Sequence, residues 1–201
     1  MTQDEIAGRT SDASVALLSV APDFQRLERQ SSPKVKIGDP IHFSVDVHVT
    51  PNGKKFGKRA IVMPSTSGGP IFEIHANEPK SVGGTDEDPT PMAYFTAGLA
   101  LCFMSHVMGY VKVRGLDVQK IALELRGNYM TELGHVDRAG QGRGGARNFE
   151  THVIIDSSEP RETIAELVAI CEEACVAHQT MVNAIPGNIS IVHNGKIIDA
   201  A

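Results

Sequence analysis

Residues 89–111 read PTPMAYFTAGLALCFMSHVMGYV, a run without one Asp, Glu, Lys or Arg and with Cys102 near its centre. Thr90 is an N-cap residue type, and Pro91 after it has its φ preset for the first helical position. Gly115 supplies the stop, so the run predicts a single helix over 91–114. About 20 apolar residues suffice to cross a bilayer. This run, however, is interrupted by Thr96, Gly98, Ser105, His106 and Gly109, and a histidine inside a span is rare. The expectation is the core helix of a water-soluble domain, with other elements packed around it.

The flanks supply those elements. Upstream, Ile41, Phe43, Val45, Val47 and Val49 alternate with His42, Ser44, Asp46, His48 and Thr50, the period-two pattern of a half-buried strand. Pro51-Asn52-Gly53 is turn chemistry, and return strands are expected over 58–63 and 70–76 with the loop STSGG between them. Residues 77–91 form a loop whose acids Asp86, Glu87 and Asp88 suit the positive end of a helix dipole. Downstream, 118–129 alternates again, 134–147 is a glycine- and arginine-rich loop, and 148–156 is the next strand. Ser157, Ser158 and Pro160 open a second long helix, whose stripe is Ile164, Leu167, Val168, Cys171, Cys175, His178 and Val182. Pro186-Gly187 ends it, and 188–192 is a last short strand. The order predicts an α+β fold: an antiparallel sheet with two long helices, the first central and buried. Residues 1–33, with one amphipathic piece at 16–27, read as an N-terminal extension to a domain spanning 34–201.

Composition narrows the function classes. With 41% hydrophobic and 21% charged residues in 201, the chain is an ordinary globular protein able to bury one good core. A net charge of -5 argues against a nucleic-acid partner, which would call for a basic surface. The first residues, MTQDEIAGRTSD, carry early acids and no apolar run, unlike a secretory signal. Three cysteines, an odd number, do not make a secreted disulfide framework, so a reducing cytoplasm is expected and no membrane is.

Several pieces in order resemble one family. Gly83-Gly84 lie in the loop before a proline-led helix, Pro91-Met92, and ALCF around Cys102 ends an Ala/Leu/Gly run. A strand follows Gly115, and the later helix carries ACVAH around Cys175. Over 39–195 this order and spacing resembles the OsmC/Ohr family. The resemblance implies an intertwined homodimer with active sites at the subunit interface, and a two-cysteine peroxidase acting on organic hydroperoxides. It makes Cys102 the attacking thiolate and Cys175 the resolving thiol, served by a dithiol reductant and by no cofactor. Peroxidases of the family carry a glutamate ten residues before the attacking cysteine, where it helps to hold an arginine over the thiolate. Here that position is Met92. Arg59 is the candidate arginine, with Arg138, Arg143 and Arg147 as others. A family member without peroxidase activity, binding a lipophilic small molecule at the interface, is the alternative that Met92 favours.

The residues themselves set the chemical question. A peroxidatic cysteine needs a lowered pKa from a cation or a helix N-terminus. Cys102 lies about three turns into its helix, beyond reach of the dipole, but His106 follows four residues later on the same face. A thiolate–imidazolium pair is the functional reading of that spacing. Met92, Phe95, Phe103, Met104 and Met108 make the surroundings apolar, which favours an organic peroxide. Cys171, one turn before Cys175, reads as a small core hydrophobe. Cys102, His106, Cys175 and His178 would also compose a Cys₂His₂ set, but structural zinc sites favour tighter paired motifs in loops, so no metal is expected. His42, Asp46 and His48 read as a solvated strand face, and Arg143-Gly144-Gly145 is too short for RNA binding.

Overall fold

The computed structural model describes residues 13–19, 39–65, 70–132, 143–183 and 185–198. Arg138, most of the 134–147 loop and the larger part of the 16–27 piece lie outside the described residues. The chain divides into two compact units, Met1–Tyr94 and Phe95–Ala201.

The first unit is a four-stranded antiparallel sheet in the order β1-β4-β3-β2, built from β1 (Val15–Leu18), β2 (Val45–Pro51), β3 (Lys58–Pro64) and β4 (Ile71–Ala76). The N-terminal segment thus contributes a strand, with Val15 opposite Ile74. Ile61, Met63 and Ile71 are buried with Leu18 packed against them. Residues directly opposite in an antiparallel pair share a face. Because His48 pairs with Ile61 and Asp46 with Met63, the polar residues of β2 lie on the core side. The alternation predicted for this strand is therefore present with its sides exchanged: Asp46, His48 and Thr50 are half-buried, while Val45, Val47 and Val49 are exposed. Register, which the strand's own sequence does not encode, decides which side is covered.

Beyond β4, Asn77 is fully buried and its Oδ1 accepts from the amides of Glu78 (2.8 Å) and Thr85 (3.1 Å), closing the loop before the helix. Gly84 passes so close to the Glu78 carbonyl that a Cβ there would collide with it, which accounts for glycine at this point. The three acids find partners in the loop and sheet. Glu87 pairs with Lys54 (2.7 Å), Asp88 accepts from the Ser14 hydroxyl (2.9 Å), and Asp86 accepts from the Lys80 amide (3.2 Å).

Helix α1 (Pro91–Arg114) begins in the first unit and runs into the second. Thr90 caps it through its hydroxyl to the Ala93 amide (3.2 Å), and Gly115 ends it at φ 64°. By length and composition it is the one described helix apolar enough to cross a membrane. The prediction of a buried helix holds for one stripe: Leu99, Phe103 and Val107 are buried, whereas Leu101 is 68% and Val113 84% exposed. Each of the three buried side chains contributes about 1.5–3 kcal/mol.

In the second unit β5 (Val118–Thr131) and β6 (Gly144–Ser157) form a long antiparallel hairpin, reaching further into the Gly/Arg-rich segment than the alternation suggested. Its inner residues Ile121, Leu123, Val153 and Ile155 pack on Phe103, Val107, Leu167, Cys171 and Cys175. Thr96 and the Tyr129 hydroxyl share a 2.7 Å hydrogen bond, and Phe149 lies edge-on to Phe95 and Tyr129. The second helix departs from expectation. It is two helices, α2 (Arg161–Ala174) and α3 (Val176–Val182), separated at Cys175. A short hairpin, β7 (Ile191–His193) and β8 (Lys196–Ile198), replaces the single last strand. Among the described residues the single sheet of the prediction is three: one of four strands and two hairpins.

Candidate active site

Cys102, His106 and Cys175 converge in the second unit. The two sulfurs and a ring nitrogen of His106 all lie within 4.8 Å of one another, and the three cysteines are free thiols. Cys102 and His106 come from adjacent turns of α1, both half-buried, so the four-residue spacing places them side by side as expected. Cys175 comes from the break between α2 and α3 and is fully buried.

The break has a local cause in side-chain chemistry, since neither glycine nor proline occurs at it. Cys175 takes an extended conformation (φ -73°, ψ 110°) and occupies the N-cap position of α3. Gln179 then does two jobs: its amide closes the first turn of α3 on the Cys175 carbonyl (2.8 Å), and its side chain donates to the Glu172 carbonyl left open at the end of α2 (3.1 Å). His178 reaches back to Glu172 as well, with Nε2 to Oε1 at 3.2 Å. His178 therefore faces Glu172 and is not a member of the Cys102–His106–Cys175 cluster. The rephased helix also leaves Val182 exposed, outside the stripe predicted for it.

Electrostatics separate the thiols. Burial pushes Cys175 above the ordinary cysteine range, and its interaction with the Cys102 sulfur adds to that. The amides of His178 and Ala177 at the start of α3 act in the opposite sense, though Cys175 makes no full capping hydrogen bond. Burial thus disfavours the thiolate at Cys175. Cys171 is also raised, first by burial and then by the neighbouring Cys175, as befits the core position read for it.

Arg59 belongs to the first unit and is engaged there. Its Nε and a terminal nitrogen both lie 2.6 Å from Glu73 Oε2, while His75 Nε2 lies 2.7 Å from Oε1 of the same carboxylate. Glu73 and His75 are each 4% exposed. Sequence reading did not single out this pair; the signal available was a Glu and a His two apart on a strand, a spacing that puts both on one face.

A cavity of about 150 Å³ lies between α1, the β5–β6 hairpin and the α2–α3 pair. Leu99, Phe103, Leu125, Val153, Val168 and Met181 line it, with Thr151, Glu172 and His178 as its polar wall. Apolar space of this size accommodates a ring as large as benzene. Phe103 follows Cys102 directly and His178 lies one turn beyond Cys175, so the cavity and the thiols share both helical elements.

Comparison with known proteins agrees with this architecture. Among curated protein sequences none matches the chain. Of solved structures, an OsmC-like protein from Mycoplasma pneumoniae superimposes with a TM-score of 0.51 at 18% identity, covering 69% of this chain and 87% of that one. An OsmC-like hydroperoxide resistance protein from Jannaschia sp. CCS1 gives 0.49 at 23% identity, covering 78% and 97%. An organic hydroperoxide resistance protein OsmC from Legionella pneumophila gives 0.46 at 18%, covering 70% and 88%. The sequence pattern of the OsmC-like proteins matches residues 84–190, more than half of the 201-residue chain and all of the segment that carries the three converging side chains. The chain belongs to the OsmC-like protein family.

Proposed function

We propose that this protein is a cytoplasmic, thiol-dependent reductase of organic hydroperoxides, acting in the response to oxidative stress. The observation that carries the reading is the convergence of Cys102, His106 and buried Cys175 within 4.8 Å. Cys102 thiolate attacks the terminal oxygen of the hydroperoxide; the O–O bond breaks, the alkoxide leaves and takes a proton to become the alcohol, and Cys102 becomes a sulfenic acid. Cys175 then attacks that sulfur, the S–O bond breaks, water leaves, and a Cys102–Cys175 disulfide forms. A dithiol reductant supplies the two electrons that restore both thiols. His106 is positioned to pair with the Cys102 thiolate. The family resemblance adds an activating arginine; Arg59 is our choice, with Glu73 as the carboxylate that holds it in place of a glutamate at Met92.

The cavity supports an organic rather than a small polar peroxide, since its apolar lining suits a hydrocarbon group. A homodimer is part of the proposal. Val45, Val47 and Val49 on β2 and Leu101, Met108 and Val113 on α1 are 44–84% exposed, more apolar surface than a monomer usually leaves to water. Light scattering on the purified protein should give twice the chain mass.

The test is peptide mapping after one equivalent of cumene hydroperoxide is added to fully reduced protein. Fast and selective formation of a Cys102–Cys175 disulfide is expected. Slow or scattered oxidation with Cys102 still reduced would refute the reading. Met92 and the cavity would then favour the second reading, a lipophilic-ligand binder of the same fold.

A further inference from the structure

The same three side chains have a second chemistry. Among the described residues they form the one cluster of metal-ligating groups. We propose that the reduced protein binds one thiophilic divalent cation, with Zn²⁺ as the reference ion, through Cys102 Sγ, His106 and Cys175 Sγ.

Geometry comes first. Zinc bonds of about 2.3 Å to sulfur and about 2.0 Å to nitrogen put the ligand atoms of a tetrahedral ion roughly 3.5–3.8 Å apart. The observed atoms lie within 4.8 Å of one another, so each needs to move by about 1 Å or less, within the range of a side-chain rotation. Cys102 and His106 are fixed one turn apart on α1, and Cys175 arrives from a separate element at a helix junction, which makes the trio a pincer rather than a flexible loop.

Charge and ligand type agree. Two thiolates and a neutral imidazole make a neutral complex with a divalent ion, so its burial carries no net charge into the core. Two sulfurs select zinc or another thiophilic ion over magnesium or calcium. Binding releases one proton from each thiol to solvent: M²⁺ with two thiols and a histidine gives the bis-thiolate complex and two H⁺. Cys102 and His106 are half-buried and offer access from solvent, and with His178 committed to Glu172 a fourth position stays open to water or an anion. The binding itself does not depend on the peroxidase reading. Its consequence does: metal and disulfide compete for the same two sulfurs, so a loaded site would be protected from peroxide and a disulfide would expel the ion.

The experiment titrates reduced, metal-free full-length protein with Co²⁺, then displaces it with Zn²⁺ against a chromophoric chelator. One equivalent per chain and a thiolate-to-cobalt charge-transfer band are expected. Cys102→Ser and Cys175→Ser should each weaken binding at least about 100-fold and His106→Asn at least about tenfold, while Cys171→Ala stays within about threefold of wild type. X-ray absorption of the zinc-loaded wild type, which needs no variant to fold, should show two sulfur scatterers. Absence of the band, a zinc shell of nitrogen and oxygen alone, or unchanged affinity in Cys102→Ser would overturn the site. The peptide map of metal-free protein with cumene hydroperoxide is read separately: selective disulfide formation without metal binding sinks this inference alone, and metal binding without the disulfide sinks the peroxidase reading alone.

Discussion

Replacing Glu73 with glutamine probes the charge cluster that holds the first sheet. The Glu73 side chain is 5% exposed and accepts from Arg59 at 2.6 Å and from His75 at 2.7 Å. Hydrogen bonds to a charged group contribute about 1.5–3 kcal/mol, and neutralising one member of a buried pair costs about 3–5 kcal/mol. Two features reduce that: Arg59 is 27% exposed and regains water, and glutamine keeps one acceptor oxygen. The expected loss is about 2–4 kcal/mol. Urea unfolding at neutral pH should show a lower midpoint with an unchanged slope. Acid supplies the second signature. Burial by itself would raise the Glu73 pKa, but the hydrogen bonds from His75 and Arg59 outweigh it and hold the carboxyl below the ordinary glutamate range. A carboxyl depressed in the folded state contributes stability that is complete above its unfolded pKa and lost as pH falls through the folded one. The gap between wild type and Glu73→Gln should therefore stay constant from neutral pH down to the ordinary glutamate range and shrink below it. A gap under about 0.5 kcal/mol at neutral pH, the scale of an ordinary surface change, would refute the reasoning, as would a gap insensitive to acid.

Other perturbations separate chemistry from architecture. Cys102→Ser should abolish peroxide turnover, while Cys175→Ser should consume one equivalent of hydroperoxide per chain and leave a sulfenic acid that dimedone traps; continued turnover in Cys102→Ser would end the assignment. Leu167→Ala removes a side chain with no exposed surface from the core around the thiols and should cost about 2–5 kcal/mol by denaturant unfolding; a smaller loss would mean the site collapses around the gap. Gly84→Ala drives a Cβ into the Glu78 carbonyl and should cost about 1–3 kcal/mol, whereas Gly98→Ala, with open space at its Cβ, should be neutral or stabilising in the same assay.

Much of the secondary structure was legible because its signals are local. Thr90, Pro91 and Gly115 bounded α1 correctly, since caps and stops act within a turn. The long alternations marked β2 and β5, and the cysteine-bearing stripe marked α2. The break at Cys175 escaped notice because no glycine or proline announces it; it rests on Gln179 and His178 reaching back to Glu172 across the junction. The Arg59–Glu73–His75 cluster was missed for a related reason: Arg59 lies on a different strand from the other two, and only the β3–β4 register, with Arg59 opposite His75, brings them together.

The sequence by itself determined the order of elements, the apolar helix with Cys102 at its middle, the pairing of Cys102 with His106 on one face, and the family. These follow from periodicity, caps and motif order, which neighbouring residues settle among themselves. Tertiary structure alone decided that the polar side of β2 faces the core, that the described strands divide among separate sheets, and that Cys175 comes within reach of Cys102 and His106. Register, burial and the meeting of side chains some seventy residues apart depend on how separate elements pack, and no local pattern carries that information.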